Sequence, residues 1–403
     1  MAASPQQSST GDNESWRGLL TGIKIVDSDT HLSEPHDLWT SRAPSQWKER
    51  VPQVKEVKGK LTWIINGDTP MGYATPASVV RKDGSKIRGW GFMNCRMEDV
   101  HPGSFNIKER LRYMDETGIW GQIIYPNFLG FGGQRASQLD EDIRLITFQI
   151  YNDAMAEIQQ ESGNRIFPMA MLPWWNIESS AAEAIRCQKM GLRGVNMNNH
   201  PQSHGLPDLG HRDWDRLWEV CSDLNLPINF HIGASEESSS WFTSIPWPTQ
   251  TADQKLALGS AMLFVNNAGV LSNLIFSGVL ERFPKLKFAS VESGVGWIPF
   301  LLEALDYQLE EEVPGASEIL SMTPSEYFRR QIYACFWFER RGLGAALDAL
   351  GPDNLMFESD FPHPTCLYPG PVGYVADALS KLTPEVRRKV MCTNAAKVYS
   401  LPV

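Results

Sequence analysis

A chain of 403 residues, 42% hydrophobic and 21% charged, is long enough for one large α/β barrel or two to three ordinary domains, and this composition excludes a disordered or fibrous protein. The formal net charge of -10 and pI near 5.4 argue against nucleic acid or an anionic membrane as partner, leaving a small molecule as the expected ligand. The six cysteines form no C-x-x-C pair and no apolar run approaches the roughly 20 residues of a membrane span, so free thiols in a reducing cytoplasm are expected.

Residues 1–20 are polar and Ser/Gln-rich and read as a flexible tail ahead of one domain over 21–403. Residues 23–28 are β-branched and apolar, the first strand, and run into Asp29-Thr30-His31. In an extended strand residues i and i+2 share a face, so Asp29 and His31 can converge on one ion while Thr30 points away. The structural alternative is that Asp29 caps the next turn and His31 is a satisfied polar residue. Residues 35–104 are richer in Pro, Gly, Trp and charge, with a hairpin arm at 61–68, and read as a lid-like insertion.

From Phe105 helices and strands alternate. Helix 106–117 precedes strand 121–126, 139–162 precedes 167–173, 177–190 precedes 194–198, and 213–224 precedes 227–233. Helical segments near 253–282 precede strand 286–292, those at 296–311 and near 324 precede 332–338, and 340–350 precedes 354–360. Gly130-Phe131-Gly132-Gly133 opens no helix and reads as a loop. With the first strand this makes eight, the pattern of an α/β (β/α)8 TIM barrel with an insertion after the first strand. A doubly wound open sheet is the alternative, but no early G-x-G-x-x-G turn supports it.

Four strand ends carry metal-type side chains: Asp29 and His31, then His231, Glu292 and Asp360. Singly, each has a structural reading as a cap or a hydrogen-bonded core residue; together, at one barrel mouth, they point to a site. His363, three residues after Asp360, can orient it or touch substrate, or be a structural loop histidine. His200 and His204 read as solvated loop residues. Arg193 is a candidate partner for a substrate carboxylate, with a structural ion pair as the alternative. Trp174, Trp175, Trp241, Trp247, Trp297 and Trp337 lie near strand ends; Trp297 and Trp174 are assigned to the substrate pocket and core packing is the alternative for the rest.

Asp29-Thr30-His31 with Glu34-Pro35, Phe230-His231-Ile232-Gly233, the run from Gly278 to Lys287, and Ser359-Asp360-Phe361-Pro362-His363-Pro364 together resemble the amidohydrolase superfamily. The nearer likeness is to the branch with aminocarboxymuconate semialdehyde decarboxylase and the hydroxybenzoate-type decarboxylases. The resemblance implies Asp29, His31, His231 and Asp360 as metal ligands, and Asp360, Glu292 and His363 as catalytic groups. Those decarboxylases commonly carry histidine on the sixth strand, where this chain has Glu292. Two imidazoles and two or three carboxylates without a thiolate suit one divalent ion, zinc ahead of manganese, iron or magnesium. The expected activity is metal-dependent decarboxylation of an aromatic or unsaturated carboxylic acid. The alternatives are a hydrolase or hydratase acting on a carbon-carbon or carbon-nitrogen bond, and a barrel that binds without catalysis. A homo-oligomer, dimer or higher, is also expected, without nucleic acid or membrane partners.

Overall fold

A strand buried along its whole length belongs inside a sheet covered on both faces, and all seven residues of β1, Ile25–His31, are buried. The computed structural model describes residues 15–232 and 247–403. After β1 the chain makes an antiparallel trio, β2 Gln53–Val57, β3 Lys60–Ile65 and β4 Thr69–Tyr73. The expected hairpin arm at 61–68 is β3 and its turn. Every later strand is parallel to its neighbours. β1 pairs with β5, Ile119–Tyr125, and β5 with β6, Ile166–Pro168. A second sheet runs through β7 Ala170–Met171, β8 Val195–Asn196, β9 Ile228–His231, β10 Phe288–Val291, β11 Ile332–Phe336 and β12 Leu355–Phe357, in that spatial order.

Only Met169 separates β6 from β7, so one sheet leads into the other there. At the opposite seam, between β1 and the end of β12, Asp360 N donates to Asp29 O at 2.9 Å and His31 N to Phe361 O at 2.8 Å. Asp27 adds a side-chain stitch, accepting from Ser359 N at 2.8 Å and Ser359 Oγ at 2.5 Å. Among the described residues this seam has one bridge pair, Thr30 with Phe361, and no longer ladder. The helices Ile107–Thr117, Glu141–Glu161, Ile177–Lys189, Asp215–Asp223, Ile298–Glu312 and Gly342–Leu350 fall between strands, close to where periodicity puts them.

β1 changes phase partway. Asp27 pairs with Gln122 and Thr30 with Ile124, so Ser28 and Asp29 together face the single Ile123, a bulge. Below it Val26 points into an apolar cluster with Ile123, Tyr125, Phe167, Val291, Cys335 and Met356. Above it Asp29 and His31 take over that inward direction, and Thr30 turns away to donate Oγ1 to Ile123 O at 2.8 Å. The C-terminal helix Asn394–Tyr399 closes the floor of the same cluster, with Tyr399 Oη donating to Asn229 Oδ1 at 2.8 Å.

Two expectations need correction. The tail ends earlier than residue 20: Ser15–Leu19 is helical, and Trp16 and Leu20 are buried. Gly118, at φ 75°, ends the helix before β5 where a Cβ would stand 2.5 Å from Trp16 Cη2. The second concerns apolar length. Ala252–Phe276 forms a 25-residue helical stretch long and apolar enough to cross a membrane by length and composition. Its residues Leu256, Ser260, Leu263 and Phe264 line a cavity of the protein itself.

Arg110 ties these parts together from a fully buried position. Its Nε donates to Gly103 O at 2.5 Å, its Nη2 to His31 O and its Nη1 to Gln122 Oε1 at 3.2 Å, and the guanidinium lies 4.7 Å from the Phe361 ring centroid. Removing it strands two buried carbonyls and leaves a cavity. Arg110→Ala is expected to lower stability by about 3 kcal/mol, read as the change in the urea unfolding midpoint at constant slope.

Candidate metal centre

The phase change in β1, together with turns at the ends of three other strands, gathers ionisable side chains into one dry patch. Asp29, His31, His231, Glu292, Asp360 and His363 are all buried. Three of the turns are left-handed at non-glycine residues: Ile232 at φ 47°, Glu292 at 48° and Asp360 at 58°. Each costs of order 1 kcal/mol or more, the kind of strain that concentrates at functional sites.

The distances are short. His231 Nε2 lies 3.1 Å from Asp29 Oδ1 and His231 Nδ1 lies 3.6 Å from Glu292 Oε2. His31 Nε2 stands 3.5 Å from Asp29 Oδ1 and 3.7 Å from Asp360 Oδ1, and His363 Nδ1 is 3.3 Å from Asp360 Oδ1. His363 stacks on His31 with centroids 3.6 Å apart. Ligand atoms of Asp29, His31, His231 and Glu292 all lie within 4.8 Å of one another, and so do those of His31, Glu292, Asp360 and His363. The sequence-derived metal and catalytic candidates therefore share one locus.

Burial pushes the Asp29 carboxyl well above the usual carboxylate range, and the charges of Glu358, Asp360 and Glu292 push it further. Glu292 is raised in the same way, by burial and then by Asp360 and Glu358. His31 and His231 are held well below the usual imidazole range, first by burial and next by His363. Neutral imidazoles beside crowded carboxyls have the donor chemistry of metal ligands. Among the described residues, Asp29 Oδ2, His31 Nε2, His231 Nδ1, Glu292 Oε2 and Asp360 Oδ1 are buried without a hydrogen-bond partner. Native interiors rarely leave such atoms unpaired, and a divalent ion would satisfy most of them at once. The residues present fit a metal.

Two contacts brace the cluster. Thr365 Oγ1 donates to Asp360 Oδ2 at 2.5 Å, and His363 Nε2 meets Asn127 Oδ1 at 2.7 Å. Asn127 is itself fixed, with its N donating to Glu34 Oε1 at 2.8 Å and its Nδ2 to Leu32 O at 3.0 Å. A cavity of about 290 Å³ opens on Glu292 and His363, walled by Trp90, Phe92, Phe131 and Phe264 with Ile232 and Leu263. Phe131 lies 4.4 Å from His231 and 5.1 Å from His31 by ring centroid.

The residues assigned to substrate lie elsewhere. Arg193 precedes β8, at the end of the strand opposite the cluster, and its Nη1 donates to Ser400 O at 2.8 Å. Trp174 is buried, donating Nε1 to Gly133 O at 2.8 Å, and Trp297 donates Nε1 to Ser293 O at 2.7 Å; neither lines the cavity. Trp337 is buried against Phe264 and Phe338, Trp175 packs on Phe148, Trp247 is exposed, and Trp241 lies outside the described residues, as does Gly233. The aromatic wall comes from Phe92 and Trp90 of the segment after β1 and from Phe131 of the glycine-rich loop. Neither stretch has a periodicity that would single these residues out. Glu358 was also overlooked, though it precedes Asp360 by two positions and so shares its strand face. It is fully buried.

Comparison with known proteins agrees with this architecture. The chain is 23% identical over 372 residues to 2-amino-3-carboxymuconate-6-semialdehyde decarboxylase of Dictyostelium discoideum, an alignment covering 91% of each chain. An amidohydrolase from Mycobacterium avium subsp. paratuberculosis superposes with a TM-score of 0.71 at 20% identity, over 94% of this chain and 99% of that one. A 5-carboxyvanillate decarboxylase from Novosphingobium aromaticivorans, complexed with manganese and 4-hydroxy-3-methoxy-5-nitrobenzoic acid, gives 0.63 at 17% identity, over 94% and 97%. The match to the amidohydrolase family spans residues 26–401, from the strand that carries Asp29 and His31 to the C-terminal helix, and the chain belongs to that family.

Proposed function

We propose that this protein is a metal-dependent decarboxylase of an aromatic or unsaturated carboxylic acid, working at the mouth of a closed (β/α)8 barrel. The observation that carries the reading is the juxtaposition of the orphaned His and carboxylate cluster with a cavity walled by aromatic rings. Closure of the barrel is supported by the hydrogen bonds from Asp27, Asp29 and His31 to residues 359–361. The names of the relatives support the reaction class.

Asp29, His31, His231 and Asp360 would hold the ion. Two imidazoles and two carboxylates suit zinc or manganese, and manganese, the ion in the neighbouring decarboxylase, is proposed ahead of the zinc expected from sequence. A divalent ion held there would supply Lewis acidity toward the substrate carboxylate. Phe92, Phe131 and Phe264 take the flat body of the acid and keep water out. Glu292 faces the same cavity, and burial favours its protonated form. As the bond from ring carbon to carboxylate breaks, its electron pair stays on the carbon and takes the Glu292 proton, and carbon dioxide leaves. Glu292 is then reprotonated from solvent. His363, stacked on His31 and held by Asn127, keeps Asp360 oriented.

Elemental analysis of purified protein is expected to find one divalent ion per chain, and His231→Ala to weaken its retention about tenfold or more. Carbon dioxide release from a panel of hydroxybenzoates and related acids is expected for the wild type and lost on chelation. Glu292→Gln is expected to keep the ion but lower kcat by about 100-fold or more. Turnover of lactones or amides without carbon dioxide release would replace this reading with hydrolysis.

A further inference from the structure

Glu358 is a buried ionisable group that takes no part in the proposed reaction. Its side chain follows Met356 on the inward face of β12, so the carboxyl sits one layer beneath the metal cluster, fully buried. This is a costly place for a carboxyl group. Burial raises its pKa well above the usual range, and Asp360 and Asp27 add repulsion. An aliphatic side chain of similar length would fill the space without that penalty. Beside Cys335 on β11, the carboxyl reaches a longer-range partner: Oε2 accepts the backbone N–H of Glu292 at 3.1 Å.

That contact falls at a strained place. Glu292 is the first residue beyond β10 and has φ 48°, and its N–H has left the ladder that β10 makes with β11. β11 lies between β10 and β12, so Glu358 spans the width of a strand to reach it. Without the acceptor this N–H would be a buried orphan and the left-handed turn would lose its tether. The turn sets where the Glu292 carboxyl stands, 3.6 Å from His231 Nδ1 and facing the aromatic cavity.

We infer that Glu358 is a positioning residue: by accepting the Glu292 N–H from beneath the metal cluster, it locks the left-handed turn that aims the Glu292 carboxyl into the substrate cavity. This rests on the reading of Glu292 as proton donor, and the test separates the two. Glu358→Gln keeps the reach and an acceptor oxygen, whereas Glu358→Met keeps the reach and has none. Crystal structures of both variants, metal content, kcat and KM would be compared with the metal-loaded wild type. Expected for Gln are an unchanged Glu292 turn and kcat within about threefold. Expected for Met are unchanged metal content, a Glu292 turn relaxed to negative φ, and kcat lowered about tenfold or more with KM little altered. A Met variant with the wild-type turn and kcat overturns the inference, as does a Gln variant in which the turn is lost. If the Met variant does not fold, Glu358→Asp, whose carboxylate stops one methylene short, is read by the same criteria. If the wild type releases no carbon dioxide from any acid, the proposed reaction falls, while the conformation of Glu292 in the variants still decides the role of Glu358.

Discussion

Like charges cannot share a buried space without something between them, and this protein brings the buried side chains of Asp29, Glu292, Glu358 and Asp360 together. Repulsion among them dictates what the surroundings can be. Two neutral imidazoles, a hydroxyl from Thr365 and a backbone N–H from Glu292 each remove part of the cost. The atoms left over are those a divalent cation would claim. The fold serves this requirement: left-handed turns, the bulge in β1 and the Asp27 stitch all hold acids closer than they would settle alone.

Much of this was legible in the sequence because strand alternation is a strict geometric code. Asp29 with His31, and His231, Glu292 and Asp360 at the ends of apolar runs, needed only the parallel order of the strands to meet at one mouth. The same code, applied to its limit, would have caught Glu358. It also warned against Arg193, which stands before its strand and therefore at the wrong end. The tryptophans misled for a different reason. An indole fills core space as well as it lines a pocket, and nothing in sequence position separates the two uses. Phe92 and Phe131, which do wall the cavity, sit in segments whose course is set by tertiary packing. The bulge in β1 was invisible too, although the expected sharing of a face by Asp29 and His31 survives because it begins above the irregularity.

The division of labour around the cluster has a chemical logic. Strand ends, held by parallel ladders and at the β1 seam by the hydrogen bonds to residues 359–361, supply the groups that tolerate no displacement. Loops and the segment after β1 supply the rings that meet the substrate body, so the shape of the cavity can vary while the cluster stays constant. Asn127 joins the two systems. It hydrogen-bonds His363 on one side and, through Glu34 and Leu32, anchors the start of the segment whose later residues form the wall.

The floor of the barrel adds a matter of timing. Tyr399 bonds Asn229 and lies 3.2 Å from Tyr125 Oη, and the Tyr125 ring is 4.8 Å from that of His231. The cluster thus stands on a support that includes one of the last residues of the sequence, while its first members, Asp29 and His31, are among the earliest made. Support and cluster are therefore joined by contacts between residues far apart in the sequence, the kind whose formation carries the largest loop-closure cost.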